Sequence, residues 1–181
     1  MKLMVASDLH GSANYVEQLL QAFQQEQAER LLLLGDLLYH GPRNALPPGY
    51  ETKDVASQLN GIREQLLCVR GNCDAEVDQM VLDFPIDAEY CILWLGKRMV
   101  FATHGHRYSP ENPPQLRPGD ILLTGHTHIP ACRREAGGFL YVNPGSVSIP
   151  KGGSEHSYII LEEERILWKT LKGNVYREYP L

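Results

Sequence analysis

Residue types that bind divalent metals recur in five short clusters along this chain, and each cluster follows an apolar run. The runs are LMVAS, LLLLG, LLCVR, MVFAT and ILLTG. The clusters supply two aspartates, one asparagine and four histidines: Asp8, His10, Asp36, Asn72, His104, His126 and His128. Imidazole and carboxylate ligands together suit Mn, Fe, Co, Ni or Zn better than Ca or Mg. The set therefore indicates a metal site with ligands enough for two ions.

The apolar runs are predicted to be buried strands, and in the first half of the chain they alternate with two helices. The first helix is indicated by apolar residues at i, i+3, i+4 and i+7, after Ser12 or Asn14 as N-cap: Val16, Leu19, Leu20 and Phe23. The second follows Thr52 and directs three residues inward: Val55, Leu59 and Ile62. This βαβαβ unit implies parallel strands, whose ligands bind beyond their carboxyl ends. We therefore expect all five clusters at one sheet edge.

The second half is predicted to be mostly short strands separated by turn residues such as Gly96, Gly137 and Gly173. The strands are expected at roughly 89–95, 98–103, 120–124, 130–135, 138–142, 157–161, 165–171 and 174–179. A βαβ half followed by such a meander suggests an α/β fold with two sheets packed face to face and helices outside. Residues 1–181 are interpreted as one domain because no linker, repeat or low-complexity segment interrupts them.

Taken singly, each histidine or aspartate of the clusters is better explained as a cap, a turn residue or a hydrogen-bonded core residue. Six of the seven histidines, however, lie in or beside the proposed edge, and the clusters recur at strand ends. This recurrence favours the metal interpretation over the structural one.

Composition excludes several classes of partner. The net charge of −5 and the pI near 5.8 argue against a surface that binds long nucleic acid. No apolar run reaches transmembrane length, and the first residues lack a signal-peptide pattern, so a cytoplasmic protein is expected. The four cysteines show no C-x-x-C spacing, which argues against a thiolate zinc site: Cys68, Cys73, Cys91 and Cys132.

The order D-x-H, G-D, G-N, H and G-H-x-H resembles the motifs of the calcineurin-like metallophosphoesterase superfamily, over nearly the whole chain. More narrowly, GDLLYHGPRNALPPGY, VRGNCD and NPGSVSIPKGG are similar to segments of the small bacterial YfcE-type phosphodiesterases. The resemblance implies a four-layer αββα sandwich of two mixed sheets with flanking helices. It also implies a centre with two divalent ions.

The resemblance further implies how the ligands are divided. One ion would be held by Asp8, His10, Asp36 and His128. The second would be held by Asp36, Asn72, His104 and His126, so that Asp36 bridges the two. Mn²⁺ is the metal expected first, with Zn²⁺, Ni²⁺ and Fe as alternatives.

Two such ions would lower the pKa of a shared water, and the resulting hydroxide would attack a phosphodiester in line. The ions contribute about +4 of formal charge, Asp8 and Asp36 about −2, and the hydroxide about −1. The site is therefore expected to be positive within an acidic protein and to select a small anionic ester.

One position departs from the family pattern. Members commonly read G-N-H-[DE], with a histidine that assists the leaving group, whereas this chain has Cys73 after Asn72. A thiol is a weak donor, so His106 is the proposed substitute, with a plain loop histidine as the alternative. The alternative for Cys73 itself is a small packing residue without a catalytic role. Arg43 is a proposed phosphate clamp that contacts substrate together with Asn72; its alternative is an ordered surface loop or a subunit contact.

The function favoured by these residues is hydrolysis of small phosphodiesters by a dinuclear metal-dependent enzyme. Three alternatives stay open: a phosphomonoesterase, a non-catalytic scaffold like the retromer subunit of this fold, and a nuclease for long DNA. Filled ligand positions argue against the scaffold, and the acidic charge argues against the nuclease. The strand-rich segment 165–179 offers an edge for assembly into a homo-oligomer.

Overall fold

The computed structural model describes residues 2–181 as two β-sheets and two α-helices. The first sheet has six strands in the order β11-β10-β9-β1-β2-β3. Its strands are β1 (Leu3–Ala6), β2 (Arg30–Leu33), β3 (Leu66–Cys68), β9 (Ser157–Leu161), β10 (Arg165–Thr170) and β11 (Val175–Pro180). The strands β1, β2 and β3 are parallel, whereas β9, β10 and β11 are antiparallel additions beside β1.

The second sheet has five strands in the order β4-β5-β6-β8-β7. They are β4 (Tyr90–Leu95), β5 (Arg98–Thr103), β6 (Ile121–Leu123), β7 (Ala131–Arg134) and β8 (Leu140–Asn143). The predicted meander is confirmed for β9, β10 and β11 of the first sheet but is wrong for the second sheet, because β6 pairs in parallel with both β5 and β8, while β7 lies outside β8. The connection 104–120 returns the chain to the same end of the sheet, which makes the pairing of β5 with β6 parallel.

Both helices pack on the first sheet. Helix α1 (Ala13–Glu26) and helix α2 (Thr52–Asn60) bury apolar side chains against residues of β1, β2, β9 and β10. Ser12 precedes α1, but its hydroxyl donates to the Pro48 carbonyl instead of capping the helix, and Asn14 lies inside the helix. Leu20 is only partly buried. Helix α2 ends before Ile62, because the chain there turns into a 3-10 segment toward β3.

A second apolar core fills the space between the two sheets, which confirms that they pack face to face. The outer face of the second sheet carries no helix in residues 2–181. The segment 104–120 covers that face instead, with Tyr108 and Leu116 against Phe101, Leu122 and Tyr141. Neither helix of this part of the chain is long and apolar enough to cross a membrane.

The five clusters follow β1, β2 and β3 of one sheet and β5 and β6 of the other. The sequence predicted a single sheet edge, whereas the structure forms the site from two edges, one contributed by each sheet. Backbone hydrogen bonds connect neighbouring strand-end loops, from Asp8 to Gly35 within the first sheet and from Gly125 to His104 within the second. The fold thus delivers the clusters from both sheets to one end of the sandwich.

Candidate metal centre

Five of the seven predicted ligands adopt a left-handed backbone conformation. The φ angles are 60° at Asp8, 46° at His10, 56° at Asp36, 67° at His126 and 62° at His128. This region is uncommon for residues with a side chain, and such strain gathers at functional sites. Backbone hydrogen bonds hold it in place, as from Asp8 N to Gly35 O and from His10 N to Asp36 O.

The first group of ligands brings hydrogen-bond acceptors together without a donor. His10 Nδ1 lies 2.8 Å from Tyr39 O, and His128 Nδ1 lies 2.6 Å from Ile149 O. Each Nδ1–H therefore donates to a carbonyl, which leaves a lone pair on each Nε2. The two Nε2 atoms are only 3.2 Å apart, and Asp8 Oδ1 lies 3.2 Å from His128 Nε2 with no donor of its own. A cation between these atoms would satisfy all three.

The second group repeats this pattern around His104. Its Nδ1 lies 2.6 Å from Leu34 O, so in the neutral ring, the form that binds a metal, its Nε2 carries the lone pair. That Nε2 faces Asn72 Oδ1 at 3.0 Å, His126 Nδ1 at 3.2 Å and Asp36 Oδ2 at 3.4 Å. Carboxylate, amide and imidazole acceptors therefore converge here as well, which fits a second divalent cation.

Asp36 belongs to both groups. Its Oδ2 lies 3.7 Å from His10 Nε2 and 3.4 Å from His104 Nε2, while its Oδ1 accepts the Cys73 N–H at 2.8 Å. Burial opposes ionisation of Asp8 and Asp36, but the surrounding histidines outweigh it and hold the pKa of both carboxyls below the ordinary value. Burial likewise opposes a charge on His104, yet Asp36 and Asp8 raise its pKa to about 9. The cavity attracts positive charge.

Asp74 is a supporting residue that the sequence reasoning did not single out. Its buried carboxylate accepts the N–H groups of Asp36, Leu37 and Gly71 at 2.7–2.9 Å. It therefore joins the loop after β2 to the loop after β3. Burial raises its pKa even though these three N–H groups favour the ionised form.

The turn after β8 borders the site and supports its ligand loops. The Asn143 amide donates to Gly125 O at 2.7 Å, which supports the loop that carries His126 and His128. Ser146 and Ser148 hydroxyls both donate to the Asp8 carbonyl, at 2.9 and 3.0 Å. These contacts orient ligands from behind without entering the cavity.

The cavity above the ligands measures 290 Å³ and is lined in part by Arg43, Cys73 and Lys151. The structure thus brings Arg43 to the site, as predicted, together with Lys151, whose position in a Gly-rich turn gave no sequence signal. The Cys73 thiol lies within 4.8 Å of metal-binding atoms of His10 and Asp36. Burial, reinforced by Asp36, raises the pKa of its thiol to about 12, so the thiol stays neutral.

His106 lines a different cavity of 510 Å³, together with Asn72, Arg70 and Arg107. Its ring centre is 5.4 Å from that of His104. Burial, with the nearby positive charges of His104 and His126, lowers the pKa of His106. Two distinct cavities therefore adjoin the ligands, and Asn72 lines both of them.

Comparison with known families identifies the class of protein. The family model of the calcineurin-like phosphoesterase superfamily domain matches residues 1–165. The chain belongs to this superfamily, and the membership implies divalent metal ions.

Two curated relatives and two solved structures are similar to the chain. Phosphodiesterase YfcE of Escherichia coli K12 is 51% identical over 164 residues, which cover 91% of this chain and 89% of that protein. The probable metallophosphoesterase YsnB of Bacillus subtilis is 28% identical over 171 residues, covering 91% and 85%. The solved structure of YfcE, described as a phosphoesterase from E. coli, superimposes with a TM-score of 0.94 at 46% identity and covers 99% and 98% of the two chains. Vps29 of Cryptosporidium parvum shares the fold alone, with a TM-score of 0.59 at 20% identity over 99% and 98%.

Proposed function

We propose that residues 1–181 form one metallophosphoesterase domain that hydrolyses small phosphodiesters at a dinuclear metal centre. One observation carries the proposal: two groups of carboxylate, amide and imidazole atoms converge in the manner of metal ligands, and both include Asp36 Oδ2. The 51% identity to a protein named as a phosphodiesterase supports the reaction class.

The proposed ligand sets are those that the family resemblance implies. Asp8, His10, Asp36 and His128 would hold one ion, and Asp36, Asn72, His104 and His126 would hold the other. Mn²⁺ is proposed first, with Zn²⁺, Ni²⁺ and Fe as alternatives. When bound, two such ions lower the pKa of a water nucleophile and offset the charge that develops on the phosphoryl oxygens.

The chain's own residues orient these ligands and the ester. The Nδ1–H groups of His10, His104 and His128 donate to backbone carbonyls, which fixes the ring orientation and makes each Nε2 more basic. The neutral amide of Asn72 reaches both cavities, so it is suited to contact the phosphoryl group.

Arg43 is proposed to bind substrate from the cavity that it shares with the ligands. His106 is the proposed proton donor to the leaving group, because it lies beside His104 and opens into the second cavity. The neutral Cys73 thiol is a poor acid in this environment. Diesters with good leaving groups, which require little protonation, are therefore the expected substrates.

Metal removal and Asp36→Asn test the function together. We expect chelation to abolish hydrolysis of bis(p-nitrophenyl) phosphate and Mn²⁺ to restore it. Asp36→Asn should lower kcat/KM by at least about a thousandfold, because it removes a charge that both ligand groups share. Full activity in a preparation shown to be metal-free, or Asp36→Asn within tenfold of wild type, would contradict the proposal.

The same assay separates the alternatives. A preference for p-nitrophenyl phosphate over the diester would indicate a phosphomonoesterase. Stoichiometric Mn²⁺ binding without hydrolysis of either ester would favour a scaffold. The likeness to Vps29 is one of fold only.

A further inference from the structure

Two positively charged side chains line the cavity above the ligands without a charged partner. Arg43 lies in the loop between β2 and α2, and Lys151 lies in the turn that follows Ser148. Within residues 2–181, neither side chain forms an ion pair or a hydrogen bond. The cavity thus holds two positive charges whose partner is not part of the described chain.

The backbone fixes both residues at the rim. Lys151 N donates to His128 O at 3.1 Å, which ties its turn directly to the ligand loop. On the opposite side, Asn44 donates through its amide to His40 O at 2.8 Å and through its backbone to Gly41 O, so the turn around Arg43 is closed on itself. The two side chains are exposed, and they face the same 290 Å³ space.

The charge of the reacting group does not account for Arg43 and Lys151. Asp36 is the one carboxylate among the residues that line this cavity, and it is committed to the metal centre. With two divalent ions, Asp8, Asp36 and a hydroxide, the formal charge is about +1. The single negative charge of a diester cancels it, which leaves Arg43 and Lys151 unbalanced.

In the second cavity, by contrast, both arginines are paired with carboxylates. There Arg107 Nη1 lies 2.8 Å from Glu89 Oε1, and Arg70 Nη1 lies 3.8 Å from Asp87 Oδ1. Each arginine is already paired, so this wall has little net charge to offer a ligand. An anionic substituent would therefore be directed toward Arg43 and Lys151.

We propose that this site acts on phosphodiesters in which one ester arm carries a second anionic group, a phosphate or a carboxylate. Arg43 and Lys151 bind that group, and the neutral or polar arm lies in the cavity of His106 and Arg107. A guanidinium binds such an anion in a bidentate manner, while an ammonium adds a mobile point charge. The inference rests on the proposed phosphodiesterase function and specifies its substrate class.

Two matched esters test the proposal. Both release p-nitrophenol, and their second arms share the same three-carbon chain; one arm is propyl and the other is 3-phosphopropyl. We expect the Mn²⁺-loaded protein to favour the phosphorylated arm in kcat/KM by roughly tenfold at low salt, because each exposed charge pair contributes about a factor of two to five. The preference should shrink as salt is raised, since exposed charges are screened.

The double variant Arg43→Met/Lys151→Met should reduce the preference to about one. Arg165→Met is the control, because Arg165 begins β10 and pairs with Glu162 in the turn before it, and neither residue lines the cavity; it should keep the tenfold ratio. Calorimetric dissociation constants for slowly hydrolysed phosphorothioate versions of both esters give a readout that does not depend on turnover, and they should follow the same ratios.

Equal kcat/KM for the two arms in the wild type, or a preference that survives in the double variant, would overturn the proposal while leaving the phosphodiesterase function intact. Failure of the Mn²⁺-loaded protein to hydrolyse either ester, or bis(p-nitrophenyl) phosphate, would instead contradict the proposed function. The two failures are therefore distinguishable within one experiment.

Discussion

Gly71→Ala should disable the metal centre through a single added methyl group. Gly71 has a backbone conformation that alanine accepts, because its φ is not in the left-handed region. A Cβ there, however, would lie 2.1 Å from Asp36 Oδ1 and 2.3 Å from Asp36 N. Favourable contacts begin at about 3.5 Å, so Asp36 or the loop after β3 must move by more than about 1 Å.

The magnitude follows from what holds Asp36 in place. Its Oδ1 accepts the Cys73 N–H, and its own N–H donates to Asp74, so neither side of the contact can yield freely. Metal ligands tolerate errors of about 0.2 Å, and a displacement of about 1 Å costs roughly a hundredfold in rate. Overpacking of this kind also costs about 1–3 kcal/mol of stability.

We therefore expect Gly71→Ala to lose at least a hundredfold in kcat/KM on bis(p-nitrophenyl) phosphate and to bind Mn²⁺ more weakly by calorimetry. Gly61→Ala is the control: Gly61 also has an ordinary φ, and its nearest contact is Gln58 O at 3.2 Å. If Gly71→Ala kept wild-type metal affinity and a rate within threefold, the argument that Asp36 is held against Gly71 would be refuted.

Two further predictions concern a leaving-group acid and a partly buried ion pair. Cys73→His should raise kcat/KM about tenfold or more for aryl diesters of high leaving-group pKa and flatten the dependence on that pKa; an unchanged dependence with metal content intact would mean that protonation does not limit the reaction. Glu26 accepts bonds from Lys2, Lys169 and Tyr158. Burial opposes its ionisation, but Lys169 and Lys2 lower its pKa. The stability that ionised Glu26 adds to the folded state is therefore present above the unfolded-state pKa of this carboxyl. It is lost as pH falls through the lower folded-state pKa. Glu26→Gln should cost about 2 kcal/mol by urea unfolding at pH 7, with a smaller difference at pH 3; an equal cost at both values would contradict this assignment.

Strand-end positions of the ligands could be predicted from the sequence because local patterns determine them. A short apolar run bounded by turn residues indicates a buried strand, and the next polar residue then lies at its end. The predicted strand 98–103 matches β5, and the prediction 89–95 begins one residue before β4. The identity of the metal, the cytoplasmic location and the homo-oligomer through 165–179 stay predictions.

The arrangement of the strands could not be read from the same patterns. Pairing of β6 with β8, rather than with β7, is decided by the contacts of whole sheets, and nothing in the sequence near Ile121 encodes it. The covering of the second sheet by the segment 104–120 is of the same kind, because Tyr108 and Leu116 contact residues that come from β5, β6 and β8. Local periodicity specifies elements, while long-range packing selects their neighbours.

The metal centre itself shows why ligand type was predictable and ligand support was not. The histidines can be recognised in the sequence by their residue type and their recurrence. The groups that orient them are the backbone carbonyls of Tyr39, Leu34 and Ile149, which any residue could supply. Asp74 supports Asp36 from 38 positions away, as the hydrogen bond between them records. Because such supports depend on where the backbone runs, they become visible only when both sheets are assembled. Substitutions at positions that are not ligands themselves, such as Gly71→Ala, therefore test the assembled site most directly.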